Sequence, residues 1–160
     1  MGAAPTITLP SDTEILVQRE FAAPPELVWR AWTEPDLVRR WWAGRRGTMR
    51  ECEIDFRVGG RYRFVMDASN GMEVAFSGEY LEIEPHDRYS QTEVFEAMPP
   101  GEEGPVRNVM SFVPTDAGTR LEILIIAPNQ DVRDAMAQSG MEVGIAEQVE
   151  IIDDLLSTLA

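Results

Sequence analysis

Residues 89–95 read Tyr-Ser-Gln-Thr-Glu-Val-Phe, with an amide and a carboxylate at alternate positions between two aromatic residues. Successive side chains of a β-strand point to opposite faces. A strand that turns Tyr89 and Phe95 inward therefore turns Gln91 and Glu93 inward with them. A carboxylate taken out of water titrates above its usual range unless it is paired, which brings it towards the range of a general acid or base. Glu93 is thus the leading candidate for chemistry, with Tyr62 or Tyr89 as its hydrogen-bond partner. The alternatives are a salt bridge to an arginine and a strand phase that leaves Glu93 in water. Asn108 and Gln91, at neighbouring inward positions, can bind a ligand carbonyl or hydroxyl, or satisfy Glu93.

Composition removes much other chemistry. All 14 basic residues are arginine, so Schiff-base and lysine catalysis are excluded. One cysteine allows no internal disulfide, and one histidine with one cysteine assembles no zinc cluster. We expect no metal and no cofactor. Gly59-Gly60 has neither the spacing nor the following helix of a phosphate loop. A net charge of -14 makes nucleic acid and anionic membranes poor partners. Cys52 reads as a small buried hydrophobe and His86 as a turn residue.

The elements that must place these groups follow from periodicity. Residues 1–13 form a polar lead-in with two prolines and are expected to be flexible. Residues 14–160 form a single domain, of a length that suits one core. The first residues have no basic or apolar leader and no stretch has membrane-spanning length, so a cytoplasmic location is expected. A strand at Ile15–Phe21 precedes two short helices divided by Pro35, which disfavours helix at Glu34. Period-two alternation then runs through about six strands, with turns at 58–60, 69–71, 85–87 and 115–118. The apolar phase slips from Tyr80 to Leu81 and Ile83, which predicts a bulge. Beyond Pro128 the helical period returns over 131–139 and, after Gly140, over a long last helix from Met141. An antiparallel sheet of this size curls, and the last helix is its natural cover. The class is α+β.

By phase, the inward set includes Tyr62, Phe64, Met66, Phe76, Gln91, Glu93, Asn108, Met110, Phe112 and Ile123, and the last helix adds Met141, Ile145 and Gln148. Aromatics and methionines with a few convergent polar groups suit a small-molecule pocket, although the same residues can close into a solid core. Trp41 and Trp42 are adjacent and cannot share a helix face, so one can anchor the core while the other lids a cavity. Arg45-Arg46 reads as a solvated loop. Gly144 suggests close approach of the sheet or room for a ligand. Leu124 and Ile126, on the opposite face, suggest helix cover or a homodimer contact.

The segments FAAPPELVWRAWTEPDLVRRWW, CEIDFRVGGRYRF, SGEYLEIEPHDRYSQTEVFE and VRDAMAQSGMEVGIAEQ, in this order, resemble the START-like SRPBCC superfamily. The resemblance is strongest to its bacterial branch named after the activator of heat-shock-protein-90 ATPase homologue. It implies a helix-grip fold, a curved sheet wrapped around a long C-terminal helix with a cavity between them. Members bind lipids, steroids and polyketides, and a minority catalyse cyclase, aromatase or lyase reactions. The chain departs from many relatives at Ala43-Gly44-Arg45-Arg46, where they have Gly-Pro, and at Ile145, where some carry an aromatic.

Together these features predict a binding protein for a small hydrophobic or aromatic molecule. Its cavity would be lined by Trp41, Trp42 and the inward residues just named, with Glu93, Gln91 and Asn108 orienting the polar end. The alternatives are a cyclase, dehydratase or hydrolase using Glu93 as acid/base, and a chaperone-associated or stress-related interaction module that uses its surface. The last is supported only by a family name, and fold and function separate easily.

Overall fold

The computed structural model describes residues 3–159, so Met1, Gly2 and Ala160 of the ranges above lie outside the described residues. Eight strands form one antiparallel sheet in the order β1-β2-β8-β7-β6-β5-β4-β3. The strands β3 (Gly47–Ile54), β4 (Arg61–Ala68), β5 (Glu73–Glu84), β6 (Arg88–Phe95), β7 (Val106–Thr115) and β8 (Gly118–Ile126) follow one another as a meander. The first long strand, β2 (Glu14–Phe21), returns to pair with β8, the last.

Residues 6–11 correct one expectation. They form strand β1 (Thr6–Ser11), paired with β2, where a flexible lead-in was read. Pro10 hides the strand in the sequence, yet a proline is tolerated at an edge because its missing N–H need not face a partner. The expected slip in β5 is present: its register with β6 shifts between Tyr80 and Glu82, so Tyr80 and Ile83 both reach the inner side.

Helices α1 (Pro25–Thr33) and α2 (Pro35–Trp41) each begin with proline at the first helical position. Glu34, in extended conformation, divides them as the residue before Pro35 must. Asn129 caps α3 (Gln130–Ala137) by accepting from the Val132 N–H at 2.9 Å. Gly140, at φ 84°, takes the left-handed turn that leads into α4 (Met141–Leu159).

The core lies between the inner face of the sheet and α1, α2 and α4. Its centre is Trp29 of α1. The indole meets Phe56, Tyr89 and Phe112 edge-on at ring-centroid distances of 5.6, 5.6 and 5.1 Å. His86, in the turn before β6 at φ 66°, adds a fourth edge contact at 5.8 Å.

The C-terminal half of α4 buries Val149, Ile152, Leu155 and Leu156. It is fixed there by Arg19 of β2, which donates to both carboxylate oxygens of Asp153 at 2.6 and 2.7 Å. The Arg19 side chain is 3% exposed, Asp153 22%. On the outer face, by contrast, Arg63 pairs with Glu51 and Glu96, and Arg50 with Asp67 and Glu73, at the surface. Exposed pairs of that kind contribute little each.

Asp153→Ala strands a buried guanidinium and is expected to lower the unfolding free energy by about 3 kcal/mol in urea denaturation. The double variant Arg19→Met/Asp153→Leu recovers most of that loss. A single variant as stable as the parent contradicts the role assigned to this pair.

Candidate functional site

The geometry of the site begins at a glycine. The pairs Ser77–Val94 and Tyr80–Gln91 bracket Gly78 and Glu93, which therefore lie across from each other on β5 and β6. On the other side Gly78 is opposite Tyr62 of β4. A Cβ at position 78 would overlap the Thr92 carbonyl and stand 2.7 Å from the Tyr62 ring. Without it, Tyr62 reaches across and its hydroxyl donates to the Thr92 carbonyl at 2.7 Å. The Glu79 N–H turns to the Thr92 hydroxyl at 2.9 Å instead. The two β-strands are thus joined here by side chains as well as by backbone, and Glu93 sits beside the joint.

Around Glu93 the polar groups form a short chain. Gln91 donates from Nε2 to Asn108 Oδ1 at 3.0 Å. Asn108, 2% exposed, hydrogen-bonds Glu93 through its side chain. Loss of water raises the Glu93 carboxyl to about 7, against the lowering effect of that Asn108 bond. No arginine contributes to its environment, so the salt-bridge alternative does not hold. Tyr62 is held far above the ordinary phenol range, first by burial and then by the Glu93 charge. Its proton stays on the oxygen.

Adjacent to this polar row lies an aromatic one. Phe64, Phe76 and Phe95 occupy the next inward positions of β4, β5 and β6, and pair in register. Phe76 and Phe95 stack at 5.1 Å, and Trp42 closes over Phe64 and Phe76 at 5.4 and 5.7 Å. All four are half-buried, as are Glu93, Val106, Ile123, Met141 and Ile145. Where α4 is pinned by Arg19 the interior is closed. Towards the N-terminal half of the helix, Met141 and Ile145 pack on a second buried cluster of Ile15, Val17 and Ile125, while the aromatic row beside Glu93 is only half covered.

This division redistributes the residues expected to line a cavity. Trp42, Phe64, Phe76, Glu93, Ile123, Met141 and Ile145 lie on the half-buried part, with Gln91 and Asn108 beneath them. Tyr62 is buried but holds the joint. Met66, Met110 and Phe112 are packed away, the last two in the aromatic core. Trp41 is 2% exposed, and its indole N–H donates to the Ala31 carbonyl at 2.7 Å, which makes it the core anchor of the tryptophan pair. Gln148 donates to the Trp42 carbonyl at 2.6 Å and ties α4 to the end of α2. These two are structural, because their partners come from chain positions that strand or helix periodicity does not link.

Other readings are resolved as follows. A Cβ at Gly144 would meet only the Arg46 guanidinium carbon, at 3.9 Å, so the sheet does not approach it. Arg45 and Arg46 are surface residues paired with Glu150 and Glu147 at 3.6 and 3.5 Å. Burial lifts the Cys52 thiol to about 11, which rules out a standing thiolate. Leu124 and Ile126 are half-buried on the outer face, in register with Leu16 and Val109 and with Glu14 and Arg107 respectively. Two surface depressions, of about 530 and 360 Å³, lie elsewhere: one between the β3 end and the Gly59-Gly60 turn, the other between Ala22–Pro25 and Pro114–Gly118. Neither includes Glu93. No group of three or more His, Cys, Asp or Glu that could hold a metal occurs among the described residues.

The Glu93 carboxyl predicts a pH dependence. In the unfolded chain it titrates near 4.5, and in the folded protein near 7. Between those values folding takes up a proton. The Glu93 contribution to stability therefore falls as pH rises through the window and levels off above 7, by about 3 kcal/mol at most. Glu93→Gln removes this dependence. Urea unfolding is expected to show the variant equal to the parent near pH 4.5 and more stable at pH 8. Parallel curves across the range contradict a desolvated Glu93.

The chain was compared with known proteins. The family described as Activator of Hsp90 ATPase homolog 1-like protein matches residues 22–157. A crystal structure of a protein from Rhodobacter sphaeroides superposes with a TM-score of 0.88 at 28% identity, covering 96% of this chain and 99% of that one. One from Nitrosomonas europaea does so with a TM-score of 0.82 at 26% identity, covering 94% and 97%. The solution structure of an AHSA1-like protein from Aeromonas hydrophila, at 21% identity, shares the fold with a TM-score of 0.71 over 89% and 94% of the two chains. No curated protein matches. The sheet order, the long C-terminal helix and a family match spanning most of the sequence place this chain in the Activator of Hsp90 ATPase homolog 1-like family, with the α+β helix-grip fold of the START-like SRPBCC proteins.

Proposed function

We propose that the protein binds a small aromatic molecule on the half-buried inner surface between β4–β7 and the N-terminal half of α4. The observation that carries this reading is a desolvated carboxyl, Glu93, set beside an aromatic row that the fold leaves half covered. A solid core has no use for either feature: a carboxyl drawn from water with no counter-charge costs stability, and exposed aromatic surface gains nothing. A ligand covers the rings and gives Glu93 a partner. Trp42, Phe64, Phe76 and Phe95 supply the walls, Ile145 and Met141 the roof, and Glu93 with Asn108 the polar end.

A second reading makes Glu93 an acid/base towards the bound molecule, and its titration near 7 favours this. The two differ in outcome, since binding returns the ligand unchanged and catalysis does not.

Indole titrated into isotope-labelled protein is expected to give saturable NMR shifts at the Trp42 indole N–H, Phe76, Phe95 and Ile145. Trp42→Ala weakens binding by about tenfold, the loss of one aromatic wall. Absence of saturable shifts, or shifts centred on the Gly59-Gly60 turn, contradicts the proposal.

A further inference from the structure

The chemistry that surrounds Glu93 narrows what can meet it. The polar groups beside it bond first to one another: the Tyr62 hydroxyl to the Thr92 carbonyl, one Gln91 N–H to Asn108, and the Asn108 side chain to Glu93. The charge that the site presents to a ligand is that of the Glu93 carboxyl. No positive charge of the protein competes for it. The groups beside it are the Tyr62 phenol from β4, with the Tyr80 phenol of β5 next to that ring, Gln91 from β6 itself and Asn108 from β7. The nearest loop arginine at the helix, Arg46, is partly exposed and faces Glu147 at 3.5 Å. Arg61 reaches the site only as a minor influence on Tyr62.

Resting on the binding reading above, we infer that the ligand is an aromatic ammonium compound, an aryl body bearing a protonated amine that pairs with Glu93. Such a ligand enters the site as a neutral pair, whereas a carboxylic acid would place a second negative charge beside the first. The half-buried rings of Phe64, Phe76 and Phe95 lie one inward position away, with Trp42 packed against two of them, and aromatic rings attract a cation as well as an aryl body. The net charge of -14 attracts cations from a distance and repels organic acids.

Three probes with the same indole body separate the alternatives: tryptamine, tryptophol and indole-3-propionate, titrated by calorimetry into the intact protein at pH 8 and pH 6. Tryptamine is expected to bind at least about tenfold more tightly than tryptophol at pH 8, and indole-3-propionate more weakly than either. The preference shrinks at pH 6, because a protonated Glu93 must first lose its proton, and the ammonium stays charged throughout. Glu93→Gln, which keeps the shape of the side chain, removes the preference for the amine over the alcohol. Equal affinities for all three, or a preference for the acid, overturn the ammonium assignment and leave the binding site standing. Failure of all three to bind overturns both.

Discussion

At Gly78 the sheet has no room for a side chain, and the arrangement around it follows from that vacancy. The Thr92 carbonyl turns into the space, Tyr62 lies across it to donate its hydroxyl, and Thr92 Oγ1 takes up the Glu79 N–H. A buried carbonyl and a buried phenol satisfy each other, and the joint holds β4, β5 and β6 at a fixed spacing. Glu93 follows Thr92 directly, so the same joint sets where its carboxyl stands. Residues that do not touch a ligand thereby determine the geometry of those that can.

The second constraint is the position of the last helix. Arg19 and Asp153 fasten α4 near its C-terminal end, where Trp29, Phe56, Tyr89 and Phe112 fill the space between helices and sheet. Nearer its other end α4 is tied to the segment after α2 by Gln148, which donates to the Trp42 carbonyl, and by Glu147, which accepts from the Arg45 N–H, supported by surface ion pairs of Arg45 and Arg46. One end of the grip is therefore a packed core, and the other is half covered. This is not the open cavity that the sequence suggested. What is left half covered is the aromatic row beside Glu93.

Much of this was legible before the fold was known. Alternation in 89–95 and in 52–66 places Glu93, Phe64 and Tyr62 on one face because the period of a strand is two, and one buried face enforces it. The proline positions mark the helix starts, and the phase change after Tyr80 marks the bulge. What escaped depends on partners far apart in the chain. Nothing local distinguishes Arg19 from a surface arginine, since Asp153 lies 134 residues away. The central place of Trp29 depends on Phe56, His86, Tyr89 and Phe112, all distant in the chain. Strand β1 is hidden by Pro10. Trp41 and Gln148 looked like lining residues until their carbonyl partners, Ala31 and Trp42, were in place. The signal available for Gly78 was its place at an inward position of a strand, where a glycine marks close approach of another group.

The account depends on Glu93 being held out of water without a cation beside it. The direct measurement is a carbon-detected NMR titration of the Glu93 side-chain carboxyl in the ligand-free protein, assigned with Glu93→Gln. A midpoint near 7, well above the other glutamates, is the predicted result. A midpoint at the ordinary carboxylate value would mean that Glu93 is solvated or paired, and the site would lose its polar anchor.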